Sequence, residues 1–498
     1  MERVVVIGGS LTGLFAAAAM AGQGRSVTIV ERDVFPATAM PRAGVPQGGQ
    51  AHVLLFRGLS AAEQLLPGLR EDLLRAGAVG VNGGHLLWLS ALGWMPESDH
   101  GYEVVSATRP LLEHVVRQRT LALDGVTSLQ GSRVTGLRRE GDQWQVQRAD
   151  HTAVMADLVL DASGRNSRLP TWLEELGVSV PEPERLDAQV GYATRRYRAR
   201  TDALAGCAGV VVAATPELPR GALALPAEDN QWLLSVVGFG ASRPPRDNEG
   251  FERYLHELVD PAVADLAEHC EPIGDVQVHR QTANVRHRYE KARHWPAGLV
   301  AVGDALCAFD PVYGQGITVG VLQALALRKA VRRGLSPADS GHLQRRVAAT
   351  VEIPWSIATG ADSAFVPGGQ SSLQVVLGRW TEELARLAIH GNQRANHSMS
   401  RVYNLMGPPA LLLHPALFLA VARARLLGYG KATTRPRLLS QLADGPLARE
   451  APEPVAAERR VSRAPASGRR GGGHACPSES EEEHGGISAM REAEDQLA

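Results

Sequence analysis

The sequence predicts an α/β protein in which a domain with a parallel sheet is interrupted by an antiparallel sheet and followed by a helical region. A β-branched run, a glycine-rich turn and an alanine-rich run follow one another at 4–19, and a second β-rich run ends at Glu31. Another β-rich run, glycine-rich loop and apolar helix occupy 296–327. Between them, at 186–280, alternating runs separated by Pro, Gly, Asp and Asn are typical of antiparallel strands. The N-terminal strand, turn, helix and strand form a Rossmann-like unit.

The composition predicts a globular chain of more than one domain whose partner is a small molecule. The 498 residues are 44% hydrophobic and 21% charged, which is enough apolar material to bury a large core. The formal net charge of −1 offers no overall attraction for nucleic acid or anionic lipid, so such a partner would require a local basic patch. No nucleic-acid partner is therefore predicted.

The cysteine pattern and the chain start predict a cytoplasmic protein. Cysteines are scattered without the spacing of a disulfide framework or a zinc site, so no metal is expected. Cys307, in an apolar run, is predicted to be a small buried side chain. The N-terminus enters a strand without a secretory signal, and the apolar stretch 408–424 is interrupted by His414 and Pro415. We expect no membrane span, although 408–424 could line an apolar surface.

The N-terminal turn resembles a dinucleotide fingerprint in which Ser10 takes the place of the second glycine, between Gly8 and Gly13. The Ser10 hydroxyl can donate a hydrogen bond to a phosphate oxygen at the helix N-terminus. Glu31 follows the second strand at about the distance expected for a ribose-binding acid. The unit predicts a bound dinucleotide; the alternative is a plain turn with Glu31 as a surface charge.

The segment 296–327 indicates which dinucleotide is bound. Asp304 closes a β-rich run and can accept a hydrogen bond from a sugar hydroxyl. The loop with Pro311, Gly314 and Gly316 opens an apolar helix, whose free N–H groups stabilise negative charge. A reduced flavin carries such charge around N1 and C2=O, so the loop favours an isoalloxazine over a nicotinamide.

Three segments carry a resemblance to a known family: the fingerprint with Glu31, LVLDASGRNSRLPTWLEELG at 158–177, and GDALCAFDPVYGQG at 303–316. Together they resemble the FAD-dependent monooxygenases of the para-hydroxybenzoate hydroxylase fold. Within that group, AGVPQGGQAHVLLFRG at 43–58 and GYATRRYRA at 191–199 are most similar to the squalene-epoxidase-like enzymes that epoxidise polyketide chains on the way to polyether antibiotics.

The resemblance implies FAD-binding roles for the residues that match the family's motifs. These residues are Gly8, Ser10 and Gly13 at the pyrophosphate, Glu31 at the adenosine ribose, Arg109 near the ribityl and phosphate groups, Asp161, Asp304 at the ribityl chain, and Pro311, Gly314 and Gly316 against the isoalloxazine. Without the resemblance, Arg109 is equally a solvated or salt-bridged arginine. Asp161 belongs to a segment that touches FAD in relatives, but two residues separate it from Gly164. No side chain is assigned a catalytic role, because the flavin performs the chemistry.

The activity that the resemblance implies is the insertion of one oxygen atom of O2 into an electron-rich C=C of a polyketide or terpenoid, through a flavin C4a-hydroperoxide. NAD(P)H would supply the electrons, directly or through a separate flavin reductase. The alternatives are an aromatic or aliphatic hydroxylase, a geranylgeranyl-reductase-like enzyme that reduces double bonds, and a flavoprotein without catalysis. A halogenase is disfavoured because the sequence around Trp355 lacks a WxWxIP segment.

Four regions are predicted along the chain. They are a discontinuous FAD-binding domain at 1–185 plus 281–344, an antiparallel-sheet substrate domain at 186–280, a C-terminal helical region at 345–432 and a disordered tail at 433–498. Trp88 and Trp94 are expected either to line the substrate cavity or to pack in the core. The irregular spacing of His474, Cys476 and His484 argues against a metal site in the tail.

Overall fold

The computed structural model describes residues 2–200 and 202–443. Its strands are β1 (Arg3–Ile7), β2 (Ser26–Val30), β3 (Ala51–Leu54), β4 (Val79–Asn82), β5 (Leu87–Ser90), β6 (Gly93–Trp94), β7 (Glu103–Thr108), β8 (Val126–Leu129), β9 (Val134–Glu140), β10 (Gln143–Arg148), β11 (Ala153–Ala156), β12 (Leu158–Asp161), β13 (Glu184–Leu186), β14 (Val190–Ala199), β15 (Val210–Val212), β16 (Arg220–Ala227), β17 (Gln231–Phe239), β18 (Cys270–His279), β19 (Asn284–Arg286), β20 (Leu299–Ala301) and β21 (Cys307–Ala308).

Helices alternate with the early strands and then dominate the C-terminal part of the described chain. They are α1 (Leu11–Met20), α2 (Phe56–Leu65), α3 (Leu69–Arg75), α4 (Arg109–Leu121), α5 (Leu169–Glu175), α6 (Asn248–His256), α7 (Ala262–Glu268), α8 (Gln315–Arg332), α9 (Ser340–Ala349), α10 (Glu352–Asp362), α11 (Ser372–Ile389), α12 (Gln393–Tyr403), α13 (Pro415–Leu427) and α14 (Arg437–Ala443).

A five-stranded parallel sheet in the order β20-β12-β1-β2-β8 forms the first layer. Its central strands are apolar because helices cover the sheet, and β12 reads LVLD with all four residues buried. Both segments of the predicted FAD-binding domain contribute strands to this sheet. Four of the strands lie within 1–185, and β20 lies within 281–344. The α/β, Rossmann-like fold class predicted from the sequence is confirmed.

Helices α1 and α8 cross beside this sheet at a point that admits only small residues. A Cβ added to Gly320 would overlap the side chain of Thr12, and one added to Gly303 would lie 2.8 Å from Thr12 Cγ2. The alanine-rich face of α1 meets the same need for close approach. The crossing places the N-termini of both helices near one end of the sheet.

The second layer is a seven-stranded sheet in the order β18-β14-β17-β16-β15-β5-β6. Strands β14 to β18 lie in the predicted antiparallel segment, but β5 and β6 come from 87–94, outside 186–280, and β5 pairs in parallel with β15. Alternation along a chain cannot reveal such a long-range pairing. Trp94 on β6 is buried, whereas Trp88 is partly exposed and stacks edge-on with Tyr403.

Residues 437–443, which the sequence places in a disordered tail at 433–498, are helical. Residues 437–443 form α14, whose Leu439 and Leu442 are buried against the substrate-layer core. Arg435 pairs with Asp260 and Asp265, which anchors this segment to α7. A composition-based boundary missed α14 because the helix is short and flanked by polar residues. The rest of the predicted tail, with His474, Cys476 and His484, lies outside the described residues.

Two further observations concern metals and membranes. Within the ranges 2–200 and 202–443, no group of three or more His, Cys, Asp or Glu side chains has metal-binding geometry. None of the helices in the same ranges is both long and apolar enough to cross a bilayer.

Candidate active site

The turn between β1 and α1 has backbone geometry that requires glycine. Gly8 has φ +98°, and a Cβ at this position would lie 2.6 Å from the carbonyl oxygen of Ala162. A Cβ on Gly13 would overlap the carbonyl oxygen of Gly8. The first glycine therefore permits the turn against the end of β12, and Gly13 lets α1 pack on its own entry strand.

Ser10 is the N-cap position of α1, and its side chain does not satisfy the helix N–H groups. Its hydroxyl donates to Glu113 Oε2 over 3.1 Å and accepts from Arg109 Nη2 over 2.8 Å. The first turn of α1 contains no acidic residue. The backbone donors therefore remain available to an anion, and Arg109 lies beside them.

Glu31 lies at the turn, as the fingerprint predicts. Gly9 N donates to its Oε2 over 2.7 Å and Asp33 N donates to its Oε1 over 2.9 Å. Its carboxylate is 4% exposed and also contacts Arg42 Nη1 at 3.2 Å. Oε2, which accepts only from Gly9 N, keeps a further lone pair, so this acid can still accept a hydroxyl hydrogen bond.

A cluster of charged side chains surrounds the same turn, and the sequence analysis did not single out three of its members, Arg42, Asp33 and Glu113. Arg42 lies 2.6 Å from Glu113 Oε1 and 2.8 Å from Asp33 Oδ2. Burial opposes the charge of Arg42, but Glu113 and Glu31 outweigh it and raise the arginine pKa. Arg42 Nη2 and Arg109 Nε are buried and have no hydrogen-bond partner in the described chain, although Arg109 Nε lies 3.7 Å from Glu113 Oε2. Two unsatisfied cationic donors at a helix N-terminus fit a pyrophosphate.

Asp304 lies in the turn Gly303–Ala305 that follows β20, where Gly303 has φ +63°. Burial raises the pKa of Asp304, and the charges of Arg165 and Arg109 oppose that rise. The link to Arg109 places this carboxyl on the same side of the sheet as the N-terminal turn. Asp304 is therefore positioned to accept from a polyol chain running between the two helix N-termini.

The loop before α8 is not covered by other described residues on the side where Gly314 and Gly316 lie. Pro311–Tyr313 form a 3-10 turn, Gly314 has φ +64°, and a Cβ added at Gly314 or Gly316 would meet nothing within 4 Å. The first turn of α8 carries no acid. Its N–H groups therefore face unfilled space at a helix end that stabilises negative charge.

Buried polar atoms without partners mark the same place. In the described ranges, both amide atoms of Gln315 and the Thr318 hydroxyl are buried and unpaired. Leaving such groups unsatisfied costs free energy of about 1–3 kcal/mol each. A flat ring with polar edges set against the loop would satisfy them. The donor set at both helix N-termini thus fits FAD.

Asp161 is fully buried, but its hydrogen bonds stay within its own loop. It accepts from Ser163 N over 3.0 Å and from Ser167 Oγ over 2.5 Å. Burial raises the Asp161 pKa, and these bonds oppose the rise. The side chain stabilises the loop that leads to α5. From the same loop, Arg165 donates to the carbonyl oxygens of Ala283 (2.5 Å) and Phe309 (2.6 Å).

A pair of buried carboxyl groups, Asp310 and Asp362, lies directly behind the α8 loop. Tyr313 OH donates to Asp362 Oδ1 over 2.6 Å, and Asn284 Nδ2 donates to Asp362 Oδ2 over 2.5 Å. Asn284 Oδ1 accepts from Asp310 N over 2.8 Å, and the two carboxyl groups interact electrostatically. Burial and the neighbouring Asp362 carboxyl raise the Asp310 pKa well above its usual value, which favours the protonated form of Asp310.

Polar side chains on β14 and β18 of the second sheet, and on β3, face the same region. The Tyr192 hydroxyl on β14 is buried without a hydrogen-bond partner in the described chain, and its ring lies 5.4 Å from that of His279. Burial and Asp310 raise the Tyr192 pKa, so the phenol is protonated. Burial and Arg109 lower the pKa of His52 to about 3, so His52 is neutral. Nδ1 of His52 donates a hydrogen bond to the carbonyl oxygen of Gln50 over 2.9 Å.

A cavity of about 470 Å³ opens between the end of β17 and the segment after α10. Its lining includes Phe239 and Phe365, whose rings stack at 3.7 Å, together with Pro219 and Val366. Ser363, also in the lining, directly follows the Asp362 that binds the α8 loop. This cavity, whose lining is about equally polar and apolar, is therefore next to the loop. Cys307, by contrast, is a buried core side chain.

The structure brings most predicted residues into one region and adds others. Two sets converge: Gly8, Ser10, Gly13, Glu31 and Arg109 surround the α1 N-terminus, while Asp304, Pro311, Gly314 and Gly316 surround the α8 N-terminus. Sequence reasoning missed Arg42, Asp362 and Tyr192, which come from distant segments. Glu113 carried one signal, its i,i+4 spacing from Arg109.

Comparisons with known proteins agree with this geometry. The FAD binding domain family model matches residues 1–359. Protein Rv3254 of Mycobacterium tuberculosis is 31% identical over 383 residues, covering 73% of this chain and 81% of that protein. The ubiquinone hydroxylase UbiL of Rhodospirillum rubrum is 27% identical over 342 residues, covering 67% and 74%.

The fold is shared with a flavoprotein/dehydrogenase from Cytophaga hutchinsonii, with a TM-score of 0.61, 14% identity, and coverage of 85% of this chain and 99% of that one. At this identity the likeness concerns the fold alone. The family match spans both helix N-termini that fit FAD. The chain belongs to the FAD binding domain family and is a flavin-dependent monooxygenase of the para-hydroxybenzoate hydroxylase fold.

Proposed function

We propose that the enzyme inserts one oxygen atom of O2 into the electron-rich C=C of an apolar polyketide or terpenoid intermediate. The observation that carries this proposal is the cavity of about 470 Å³ beside the α8 loop, which Phe239, Phe365 and Val366 help to line. Its aromatic and aliphatic lining suits a hydrocarbon chain, and its size is that of a small-molecule site. The sequence resemblance to polyether epoxidases supports the same substrate class.

The chain's own residues would hold the cofactor at two helix N-termini. Gly8, Ser10, Gly13 and Arg109 would bind the pyrophosphate and Glu31 the ribose. Asp304 would bind the ribityl chain, and the loop from Pro311 to Gly316 would lie against the isoalloxazine. Asp161 would contribute indirectly, because its hydrogen bonds stabilise the loop that follows β12. Bound FAD, reduced by NAD(P)H directly or through a separate reductase, supplies the activation of O2.

The protein's contribution to the reaction would be positioning and the exclusion of water. The α8 N-terminus stabilises negative charge on a ring placed against it. Apolar side chains such as Phe239 and Val366 would shield a substrate in the cavity from solvent. Epoxidation requires no general base, which agrees with a neutral His52 and a protonated Tyr192.

A hydroxylase is the second candidate, and one observation favours it. The Tyr192 hydroxyl is buried, protonated and without a partner in the described ranges, so it could hydrogen-bond a substrate oxygen. One relative is named a ubiquinone hydroxylase, whose substrate class includes an oxygenated ring. A phenolic or quinone-like substrate would then be oriented by Tyr192.

The test is turnover under ¹⁸O2 with purified enzyme, reduced nicotinamide and a panel of apolar polyenes and prenylated phenols. Epoxidation predicts one ¹⁸O atom per product at a former C=C, and hydroxylation predicts it on a ring or saturated carbon. A product saturated at the C=C and free of ¹⁸O would overturn both and identify a reductase. Adding a separate flavin reductase to parallel reactions tests whether NAD(P)H acts directly.

A further inference from the structure

Helices α11 and α13 leave an apolar face in solvent. The α11–α13 face consists of Leu373, Val376 and Leu377 on α11 and Phe418, Leu419 and Leu426 on α13, with exposed fractions from 45% to 83%. The Phe418 ring stacks on Trp380 with centroids 4.2 Å apart, so the two helices contribute to one continuous surface. Contiguous apolar surface of this kind marks an interaction site.

The outer side of helix α13 carries apolar side chains that no other described element covers. Leu417 and Val421 are buried against α11 and α12, while Leu419 and Leu426 point outward and are 72% and 83% exposed. An amphipathic helix normally turns its polar side chains to solvent, so leucines on the exposed side of α13 are out of the usual pattern. Nothing in the described chain covers the outer side of α13, so its partner comes from outside the described residues.

The charge around the face indicates the chemistry of that partner. Between 371 and 443 there are nine Arg and Lys residues but only two acids, Glu382 and Glu383, so this region carries +7 in a chain of net −1. Exposed Arg379 follows Val376 by three residues, and exposed Arg423 follows Leu419 by four. Basic side chains therefore border the apolar row on both helices.

We propose that the α11–α13 face docks the enzyme on the surface of an anionic lipid bilayer. Leucine, valine and phenylalanine side chains would enter the headgroup boundary, and the bordering arginines would meet lipid phosphates. A second copy of the chain is disfavoured as the occupant. A twofold contact joins identical surfaces, so it would bring the same positive charge against itself.

The experiment is sedimentation of the full-length holoenzyme with vesicles of phosphatidylcholine alone or mixed with phosphatidylserine. The enzyme is expected to pellet with the mixed vesicles, far less with phosphatidylcholine alone, and less again as salt rises. The double variant Leu419→Asp/Leu426→Asp should weaken binding by roughly tenfold or more, because it places charge in the headgroup boundary. Val259→Asp, at a 63% exposed position in the α6–α7 turn, is the matched control and should bind as the wild type does.

A charge variant supplies the second arm. Arg379→Glu/Arg423→Glu should abolish the preference for phosphatidylserine while leaving the circular dichroism and flavin content unchanged. Failure of the wild type to bind mixed vesicles would overturn the proposal, as would equal binding by the leucine variant. If the leucine variant instead dissociates an oligomer without changing vesicle binding, the face is a contact between copies and the proposal is wrong.

Discussion

Ser10 connects the cofactor turn to a network of charges that reaches Arg42. Its hydroxyl accepts from Arg109 and donates to Glu113, and Glu113 in turn accepts from Arg42 over 2.6 Å. A second glycine at position 10 would leave this chain of bonds broken. The serine therefore positions Arg109 at the helix N-terminus, which gives the departure from the usual fingerprint a physical reason.

Arg109→Met is expected to weaken FAD binding with little effect on folding. Loss of a charge-assisted hydrogen bond of about 1.5–3 kcal/mol corresponds to roughly 10- to 150-fold in the FAD dissociation constant. Fluorescence titration of the apoprotein with FAD measures this dissociation constant. Arg119→Met, on the same helix α4 but paired with Asp72, is the control and should retain wild-type affinity. Equal affinities for both variants would exclude Arg109 as a ligand.

The carboxyl pair predicts how stability depends on pH. Because burial and Asp362 raise the Asp310 pKa, the folded state keeps a proton that the unfolded state has released. Stability is then highest below the unfolded pKa of about 3.9 and falls as pH rises towards the folded value, by at most about 1.4 kcal/mol per pH unit.

Asp310→Asn should remove this dependence, since an amide at position 310 does not titrate. Urea unfolding at about pH 5 and about pH 8 measures the difference. The free energy of unfolding of the variant, relative to wild type, is expected to rise with pH. A difference that stays constant or falls with pH would show that the pair does not hold an extra proton.

At the scale of elements, the N-terminus of α8 combines an open loop with a well-packed helix body. The later turns of the helix are buried in the main core through Val319, Ala324 and Leu327. A Cβ added at Gly316 in the first turn would have no described neighbour within 4 Å. The helix is therefore held by its later turns. Its first turn is left free for a ligand.

Gly316→Leu is expected to fold yet bind FAD weakly, because the new side chain would occupy the space in front of the loop. Gly378→Leu on α11 also meets open space and is the matched control. The free energy of unfolding of both variants should lie within about 1 kcal/mol of the wild-type value. Flavin content after purification measures the effect. Full flavin content in Gly316→Leu would mean that the ring lies elsewhere.

At the scale of the whole molecule, segments distant in sequence complete the substrate layer. Strands β5 and β6 extend the seven-stranded sheet from 87–94, and α14 closes its helix-covered side through Leu439 and Leu442. His269 on the substrate layer hydrogen-bonds Leu442 O over 3.1 Å. Residues 437–443 are thus part of the folded protein.

Leu439→Ala should destabilise the protein by about 2–4 kcal/mol, since Leu439 is fully buried. Ser440→Ala, at the neighbouring exposed position, should change stability by less than about 0.5 kcal/mol. Chemical denaturation of both variants provides the comparison. Equal stability would mean that α14 contributes nothing to the fold.

The sequence by itself determined the features that depend on local backbone and charge patterns. The strand-turn-helix unit, the glycine positions, Glu31 at the turn and the loop before α8 are local, because glycine conformation and helix N-termini are properties of a few consecutive residues. The fold class followed from their order along the chain. A small buried Cys307 followed from its apolar neighbours.

Only the tertiary structure decided which distant residues share the site. Arg42, Asp362 and Tyr192 lie on separate segments, and nothing in the spacing of their neighbours shows that they converge. Asp161 matches the family motif, yet its hydrogen bonds stabilise its own loop. Pairing between strands and the closure of carboxyl groups on each other depend on contacts across a long sequence separation, and those contacts exist only once the chain has folded.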